Sequence, residues 1–489
     1  MAGMRHLLVA AALLAAACGG KSWRDYADRC AVPRTTGADP NTGQPWPDQK
    51  GTIDDEKTFL KLWINDVYLW YREVPDLNPK DFATPLDFFA ALKTPLKTPG
   101  GRPKDPPQFH FTYPTDYWNN VVQSGTSGGY GATFSETSLP PQRVFTVAYV
   151  LPNTPAAAAG LDRGATITQV DGTVVLTGDI NAIVAGLISP NVGETHTFKV
   201  VDRGSTTERS ISMTAVVFTE TPVLNVETLD TPTGKVGYFT FTDHIFPAEK
   251  LLIDAVNQLK TAGIADLVID LRYNGGGSLG IAQELASMVA GAGPVGRTFE
   301  KISFNDKYPT SDPIFGDPIQ PVPFVVTARG FSVAAGTPLP GLNLTRLYVL
   351  TSSNTCSASE SIINGLRGID VQVFAFGNNT CGKPYGFFPQ DNCATTYFAI
   401  EFKGVNQKGF GDYPDGFVVG GTGDTGLPGC AVADDFNHAL GDPAEARLAA
   451  ALAFRQNGTC PAGMRRADAP PVLDGRVYKS VWRENRWYR

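Results

Sequence analysis

The sequence predicts a multidomain α/β protein, and three observations support this fold class. A chain of 489 residues with 42% hydrophobic content can bury a large core, divided into about two or three domains. Residues 248–289 alternate an amphipathic helix, a buried strand and a second helix, which is typical of a parallel sheet. Residues 123–217 instead show short strand patterns separated by turns. We therefore predict a β-rich domain at 123–217 and an α/β core at 218–455.

The first residues have the pattern of an export signal. A charged start precedes an apolar run at 7–17 that is too short to span a bilayer. The run ends in Ala-Ala-Ala-Cys18, which resembles the lipobox of bacterial lipoproteins, although Ala is less favoured than Leu three positions before the cysteine. We expect a signal peptide at 1–17 and a lipid on Cys18 that anchors the protein to a membrane, with ordinary secretion as the alternative. The polar, turn-rich residues 18–52 are then a tether.

The cell envelope is the expected location. Gly19 and Gly20 carry no acidic retention signal, which in a Gram-negative cell indicates an outer-membrane lipoprotein facing the periplasm or the cell surface. Without Cys18, an even number of cysteines is left, and these can form three disulfides in an oxidising compartment, with every pairing open and free thiols as the alternative. They are Cys30, Cys356, Cys381, Cys393, Cys430 and Cys460.

Residues 53–122 predict a small helical domain and a linker. Aromatic and aliphatic side chains recur at helical spacing between residues 54 and 71, and a second helix is indicated at 85–92. Residues 93–107 contain five prolines and predict a linker or surface loop. At the other end, the tail at 456–489 is basic beyond residue 464, so it can dock on the body, touch anionic lipid or remain solvated.

The segment around Ser357 is the first candidate for catalysis. Residues 346–351 predict a short buried strand, and residues 357–366 predict a helix, so Ser357 lies at a helix N-terminus. Backbone N–H groups and the positive end of the helix dipole stabilise a developing oxyanion there. The alternative is structural, because Ser357-Ala-Ser-Glu360 also has the pattern of a capping box.

Lys383 is the candidate base for that serine. A serine hydroxyl attacks a carbonyl only when a nearby base takes its proton, and a lysine can do so when burial keeps its amine uncharged. Lys383 lies among uncharged residues at 381–388, which suits a buried amine. A thiol nucleophile at Cys356 is a remote alternative.

A third motif is Asp270-Leu-Arg-Tyr-Asn-Gly-Gly-Gly277, between a predicted buried strand and a predicted helix. Three consecutive glycines let the backbone approach a ligand closely and present N–H groups to it. By itself such a loop is more often a tight turn than a binding site.

These three motifs together resemble the C-terminal processing, or tail-specific, serine peptidases. Their order and spacing match the D-L-R-x-N-x-G-G loop, the S-A-S-E segment and the G-K base of that family, over roughly residues 55–455. The resemblance implies a crotonase/ClpP-like α/β core with Ser357 as nucleophile and Lys383 as general base. It also implies an oxyanion hole made by the N–H of Ala358 and one from the loop Gly275, Gly276 and Gly277.

Two positions depart from the family pattern. Many members carry Gln four residues after the lysine, where this chain has Phe387, and some carry Asp eleven residues after the serine, where it has Gly368. The group that orients Lys383 is therefore not predicted.

Residues 123–217 resemble a PDZ domain of the bacterial protease type. The glycine-rich turn at 127–134 and the pattern Pro-Ala-x-x-Ala-Gly-Leu-x-x-Gly at 155–164 carry this resemblance. Such domains add a peptide as an extra strand and hold its terminal carboxylate on loop N–H groups, here those of Gly129, Tyr130 and Gly131. The alternative is a β-rich scaffolding module.

Several function classes are excluded or disfavoured. A net charge of −7 argues against nucleic-acid binding. No histidine falls in a metal-ligand spacing, so we expect no metal and no cofactor. Gly125-Thr-Ser-Gly-Gly129 lacks the strand–turn–helix setting of an esterase elbow, and the glycine-rich stretch before Lys383 lacks the hydroxyl residue and helix of a phosphate-binding loop.

The sequence therefore predicts an exported serine endopeptidase that binds C-terminal ends of protein or peptide substrates and cleaves by a Ser357/Lys383 dyad. The main rival is a catalytically inactive peptide- or ligand-binding lipoprotein on the same scaffold. A Ser/Lys hydrolase of small molecules is a third possibility. The sequence does not give the substrate, the oligomeric state, the disulfide pairing or any gating of the site.

Overall fold

The computed structural model describes residues 20–39, 42–136, 143–188, 190–461 and 474–479. They form a mixed α/β structure with several sheets, which confirms the predicted fold class. The predicted signal peptide at 1–17 and Cys18 lie outside the described residues. Within the residues that the structure describes, none of the helices combines the length and apolar character needed to cross a bilayer.

The predicted tether is anchored on the body at Trp23 and Cys30, although most of its other described residues are exposed or only partly buried. Strands β1 (Arg29–Cys30) and β2 (Gln49–Lys50) pair in parallel. The Trp23 ring is buried, and a disulfide joins Cys30 to Cys393. The polar composition of the segment did not indicate these two anchors, the Trp23 ring and the Cys30–Cys393 disulfide.

The helical unit follows. It contains α1 (Ile53–Val67), α2 (Pro85–Ala91), β3 (Phe111–Pro114) and α3 (Thr115–Asn119), together with short 3-10 helices at Tyr71–Glu73 and Pro79–Asp81 and a π-helix at Asn120–Ser124. A further short 3-10 helix, Trp23–Asp25, lies in the predicted tether. Thr52 caps α1, because its hydroxyl accepts a hydrogen bond from the Asp55 N–H at 3.1 Å. The predicted aromatic face of α1 is buried against α2. The first helix ends before residue 71, because the Leu69 N–H donates to the carbonyl of Ile400 instead.

The described residues of the β-rich unit form eight strands and two helices. Its strands are β4 (Thr126–Gly129), β5 (Ala132–Glu136), β6 (Phe145–Val150), β7 (Thr166–Val170), β8 (Thr173–Val174), β9 (Thr195–Val201), β10 (Glu208–Thr214) and β11 (Val216–Thr219), and its helices are α4 (Pro155–Ala158) and α5 (Ile180–Leu187). The main sheet has the order β10-β9-β7-β6-β5, and β8 pairs with β7. Strand β4 pairs with β11 beside it. Helix α5 covers the apolar face of this sheet.

The α/β core is built on a sheet of six strands in the order β12-β13-β14-β17-β18-β25, parallel except for β12. The strands from residue 223 onward are β12 (Val223–Leu229), β13 (Val236–Phe241), β14 (Asp266–Asp270), β15 (Thr298–Ser303), β16 (Val322–Pro323), β17 (Arg346–Thr351), β18 (Gln372–Gly377), β19 (Tyr385–Gly386), β20 (Gln390–Asn392), β21 (Thr395–Phe398), β22 (Phe402–Val405), β23 (Val418–Val419), β24 (Gly426–Leu427) and β25 (Gly429–Ala431). The helices are α6 (Ala248–Ala262), α7 (Leu279–Ala290), α8 (Ala358–Gly368) and α9 (Ala446–Asn457).

Side chains of the central strands alternate between two apolar layers. Phe239 and Ile269 pack with α6, α7 and α8 on one face, whereas Tyr238 and Val268 face α9 on the other. Both faces of a parallel sheet are covered in this way, so its strands read as continuous apolar runs. Strand β3 of the helical unit pairs with β21 and attaches that unit to the core.

One piece of the predicted tail docks on the body. Residues 474–479 include strand β26 (Arg476–Tyr478), which pairs antiparallel with β5 and extends the sheet of the β-rich unit. In addition to Cys30–Cys393, the structure contains the disulfides Cys356–Cys381 and Cys430–Cys460.

Candidate active site

The candidate site lies where three neighbouring parallel strands end. Strands β14, β17 and β18 are adjacent in the sheet, so the loops that follow them meet at one edge. The glycines at 275–277 follow β14, Ser357 follows β17, and Lys383 follows β18. Topology alone therefore brings the three predicted motifs together.

Ser357 occupies a strained position at the start of α8. Its backbone has φ 60° and ψ −117°, a region that residues other than glycine rarely adopt. The residue is fully buried, and its hydroxyl has no hydrogen-bond partner in the described part of the chain. The outline of a capping box is recognisable, but the hydroxyl makes no hydrogen bond to the helix. The structural alternative for this serine therefore leaves its side chain unexplained.

Glu360 holds the segments of Ser357 and Lys383 together. One carboxylate oxygen accepts the backbone N–H groups of Ser357 and Lys383, each at 2.8 Å. The other oxygen accepts the Gly382 N–H at 2.8 Å and the Thr380 hydroxyl at 2.6 Å. Burial raises the pKa of Glu360, while these four donors act in the opposite direction. The sequence indicated only a capping role for Glu360, so this second role was not predicted.

A disulfide closes the same junction. Cys356 precedes Ser357, Cys381 lies two residues before Lys383, and the bond brings their Cα atoms within 5.1 Å. Cys356 therefore has no free thiol, which removes it as a nucleophile. Cys356, Glu360 and Cys381 also lie close enough to hold a metal ion, but the two sulfurs are bonded to each other, so this group does not fit one.

Lys383 lies in an aromatic pocket. Its side chain is fully buried, and its Nζ lies 4.6 Å from the ring centre of Phe109 and 4.7 Å from that of Phe387. Phe387, the departure from the family pattern, thus forms one wall of this pocket. Phe109 comes from the helical unit, and no pattern in the sequence pointed to it. The two rings exclude water from the amine and fix the direction of the side chain.

The glycine loop approaches Ser357 so closely that only glycine fits. A Cβ on Gly276 would lie 2.8 Å from the Cβ of Ser357 and 3.0 Å from the nitrogen of Ala358, and its φ is 105°. The Gly276 N–H donates to Asn274 Oδ1 at 2.9 Å. Among the described residues, the N–H groups of Gly275, Gly277 and Ala358 make no backbone hydrogen bond outside helices and strands, so they remain available to a ligand.

His244 supports the glycine loop and stays neutral. It is fully buried, and its Nδ1 lies 3.0 Å from Asn274 Oδ1 and 3.2 Å from the carbonyl of Gly276. Burial lowers the pKa of His244 to about 3. The side chain is therefore a structural part of the loop.

A buried charge network connects the site to the β-rich unit. Arg272 of the glycine-loop motif at 270–277 pairs with Asp270, with Glu445 and with Asp434. Arg163 of the β-rich unit donates to the same Asp434 oxygen at 2.6 Å. These guanidinium groups hold the pKa of Asp434 well below its usual range, against the effect of burial. The position of the strand end thus depends on a residue of another unit.

The predicted peptide-binding residues form a turn at the start of β5. Gly129 and Gly131 have φ of 140° and 77°, and the Tyr130 side chain is buried with its hydroxyl donating to the carbonyl of Gly186 at 3.0 Å. A cavity of about 660 Å³ separates the β-rich unit from the candidate site. It is lined by Phe109, Cys356, Gly382, Ile188 and Tyr478, among others.

Comparison with known proteins identifies related sequences and structures. Residues 235–387 match peptidase family S41, and residues 55–113 match the peptidase S41 N-terminal domain. A carboxyl-terminal-processing protease of Picosynechococcus sp. is 27% identical over 48% of this chain and 56% of its own length. A protein of the same description from Synechocystis sp. is 23% identical over 68% of this chain and 71% of its own length.

The solved structures include an S41 protease from Bacteroides fragilis. The similarity covers 85% of this chain and all of that one, with a TM-score of 0.61 and 22% identity, so it supports the fold. The chain spans little more than half the length of the Picosynechococcus relative. The match to peptidase family S41 at residues 235–387 includes all three motifs of the site, and together with the carboxyl-terminal-processing proteases among the relatives it supports the predicted resemblance to the C-terminal processing peptidases.

Proposed function

We propose that this protein is an exported serine endopeptidase that recognises C-terminal ends of protein substrates and cleaves them with Ser357 and Lys383. The observation that carries the proposal is the state of Ser357. Its hydroxyl is buried without a hydrogen-bond partner in the described residues, on a strained backbone that Glu360 ties to the Lys383 segment. A serine that served only as a cap would use its hydroxyl on the helix.

The reaction follows from these positions. The neutral amine of Lys383 accepts the proton of the Ser357 hydroxyl as the oxygen attacks the substrate carbonyl carbon. The N–H of Ala358 and those of Gly275 and Gly277 stabilise the oxyanion. Lys383 then returns the proton to the leaving amine, and water hydrolyses the acyl-enzyme with the same lysine as base. No cofactor enters these steps.

The β-rich unit supplies substrate recognition in this proposal. Its turn at Gly129, Tyr130 and Gly131 precedes β5, the last strand that this unit itself contributes to the sheet. A PDZ-like domain adds a peptide strand beside such a strand and holds its carboxylate on the turn. The curated relatives are described as carboxyl-terminal-processing proteases, which supports this choice of substrate end.

Export and lipid anchoring at Cys18 are part of the same proposal. Three disulfides support an oxidising compartment, because cytosolic thiols stay reduced. A Cys18→Ser variant is expected to move from the membrane fraction to the soluble fraction of the cell envelope. Unchanged fractionation would reject the lipid anchor.

The second candidate is a catalytically inactive peptide-binding lipoprotein. Phe387 and Gly368 favour it, because many members of the resembled family carry Gln at the first position and some carry Asp at the second. The wall that Phe387 forms beside Lys383 is compatible with either function, since it excludes water without supplying a hydrogen bond.

Cleavage of an unstructured protein separates the two candidates. We expect activity in the wild type, and a loss of at least about a thousandfold in Ser357→Ala and in Lys383→Ala. Ser353→Ala is the matched control, because Ser353 lies exposed in the same loop. Equal activity in Ser357→Ala and the wild type would reject the proposed nucleophile, and a wild type without activity would favour the binding protein.

A further inference from the structure

Strand β26 occupies the edge at which a peptide would join the β-rich unit. Strand β5 pairs with β6 on one side and with β26 on the other. In the described part of the chain, β26 therefore fills the position that the proposed substrate strand needs. It comes from residues 474–479, far from this unit in sequence.

The direction of β26 is that of a bound substrate. Arg476 lies opposite Glu136, and Tyr478 lies opposite Phe134, so the chain advances toward the start of β5. The turn at 129–131 lies just before that start. A peptide bound with its C-terminal side toward the carboxylate-binding turn has the same polarity.

Specific side-chain contacts hold the strand. The Tyr478 hydroxyl donates to Glu136 Oε2 at 2.8 Å, and its ring centre lies 5.4 Å from that of Phe145. Lys479 Nζ donates to the carbonyl of Thr242 at 2.8 Å. These bonds join the strand to both the β-rich unit and the core.

Residues 474–479 also lie between the peptide groove and the proposed catalytic residues. Asp474 accepts the Ser353 N–H at 3.2 Å, four residues before the proposed nucleophile. Tyr478 and Lys479 line the 660 Å³ cavity together with Cys356 and Gly382. A substrate that extends from β5 to Ser357 would have to displace this segment.

We propose that residues 474–479 are an intramolecular ligand of the peptide groove, which competes with the C-terminal ends of substrates. That this competition slows cleavage rests on the proposed function, whereas the occupation of the groove by residues 474–479 does not depend on it. The groove binds an incoming peptide only in the fraction of molecules whose strand has left, so its apparent affinity is lowered by that fraction.

A binding experiment tests the groove without catalysis. The protein is the full chain with Ser357→Ala, and the probe is a fluorescent peptide Asp-Gly-Arg-Val-Tyr-Lys with a free carboxylate, which copies residues 474–479. Adding Tyr478→Ala is expected to tighten probe binding about tenfold. Tyr71→Ala is the matched control, because the Tyr71 hydroxyl also donates to a carboxylate, Asp306 at 2.9 Å, but away from the groove.

A cross-link provides the opposite perturbation. Ser135 and Val477 are direct partners in the β5–β26 register, so Ser135→Cys with Val477→Cys should form a disulfide that blocks probe binding. Thr133→Cys with Val477→Cys, which is out of register, should not. The stated change in either experiment supports the proposal, and unchanged probe affinity in both overturns it. If Ser357→Ala keeps its cleavage activity, the proposed nucleophile fails, but the two binding experiments remain decisive for the strand.

Discussion

Replacing Glu360 with Gln tests the assembly of the site most directly. The substitution keeps the size of the side chain but turns one carboxylate oxygen into an NH2 group. In the wild type, each carboxylate oxygen of Glu360 accepts two hydrogen bonds. In Glu360→Gln, the two donors on one of these oxygens would instead face the NH2 group, which is itself a donor. A hydrogen bond to a charged group contributes about 1.5–3 kcal/mol, and losing two costs about 3–6 kcal/mol.

Part of this lost hydrogen-bond energy is recovered, because the neutral amide avoids the cost of burying a charged carboxylate. Burial raises the pKa of Glu360, which shows that the folded protein holds the charged carboxylate at some cost. We therefore expect Glu360→Gln to lower the free energy of unfolding by about 2–4 kcal/mol. A displacement of about 1 Å between Ser357 and Lys383 lowers catalysis about a hundredfold, mainly in kcat.

The assay combines urea denaturation with the steady-state kinetics of peptide cleavage. Glu401→Gln is the matched control, because Glu401 is also fully buried and burial raises its pKa well above the usual value, so its environment disfavours the charged form that the amide removes. That variant should keep both stability and kcat. Equal kcat in Glu360→Gln and Glu401→Gln would refute the reasoning that Glu360 positions the two reactive residues.

Three further predictions concern the surroundings of the site. The double variant Cys356→Ser with Cys381→Ser should lower kcat about tenfold or more, because it opens the disulfide beside Ser357. The control, Cys430→Ser with Cys460→Ser, opens a disulfide of similar sequence separation (30 against 25 residues) and should lower stability alone. Equal kcat in the two variants would contradict a role of Cys356–Cys381 in positioning Ser357 and Lys383. Burial raises the pKa of Glu284 from 4.5 to about 8, so the folded protein binds this proton more tightly and loses stability as the pH rises between these values. Glu284→Gln should therefore be more stable than the wild type above pH 8 in thermal denaturation, and a variant that is less stable there would contradict the assignment. Asp434→Asn should lower the free energy of unfolding by about 3–5 kcal/mol at pH 7. Because the pKa of Asp434 is lowered in the folded protein, the difference in stability between wild type and variant should shrink as the pH falls below the usual pKa of 3.8. A difference in stability that stays constant across pH would contradict the charge pairing.

The elements that carry the candidate site were predictable because their signals are local. Strand β17 has the bounds that its apolar run predicted, and α8 begins one residue after the predicted serine. The order of motifs along the chain was also informative, since loops after neighbouring parallel strands meet at one edge. The bounds of helices were less accurate wherever the backbone found a distant partner, as at the end of α1 near Ile400.

The contacts that complete the site were not predictable for a physical reason. Phe109 reaches Lys383 only because β3 pairs with β21 and carries the helical unit to the core. Glu360 satisfies its local role at the helix start, so nothing in the sequence indicates that it also binds residues 380–383. The roles of Ser357 and Lys383 remain predictions that the proposed variants test.

The contacts of the site divide into two groups with different consequences for regulation. Ser357 and Lys383 are joined through Glu360 and the Cys356–Cys381 disulfide, and both links lie within residues 356–383 of the core. In the proposal above, access to the pair is instead controlled from outside the core, by the β-rich unit and by β26, which line or border the same cavity. A movement of these outer parts can open or close the groove without separating the reactive pair. Regulation of this protein should therefore change KM or the apparent affinity for peptides more than kcat, and this is the pattern expected for Tyr478→Ala and the reverse of that expected for Glu360→Gln.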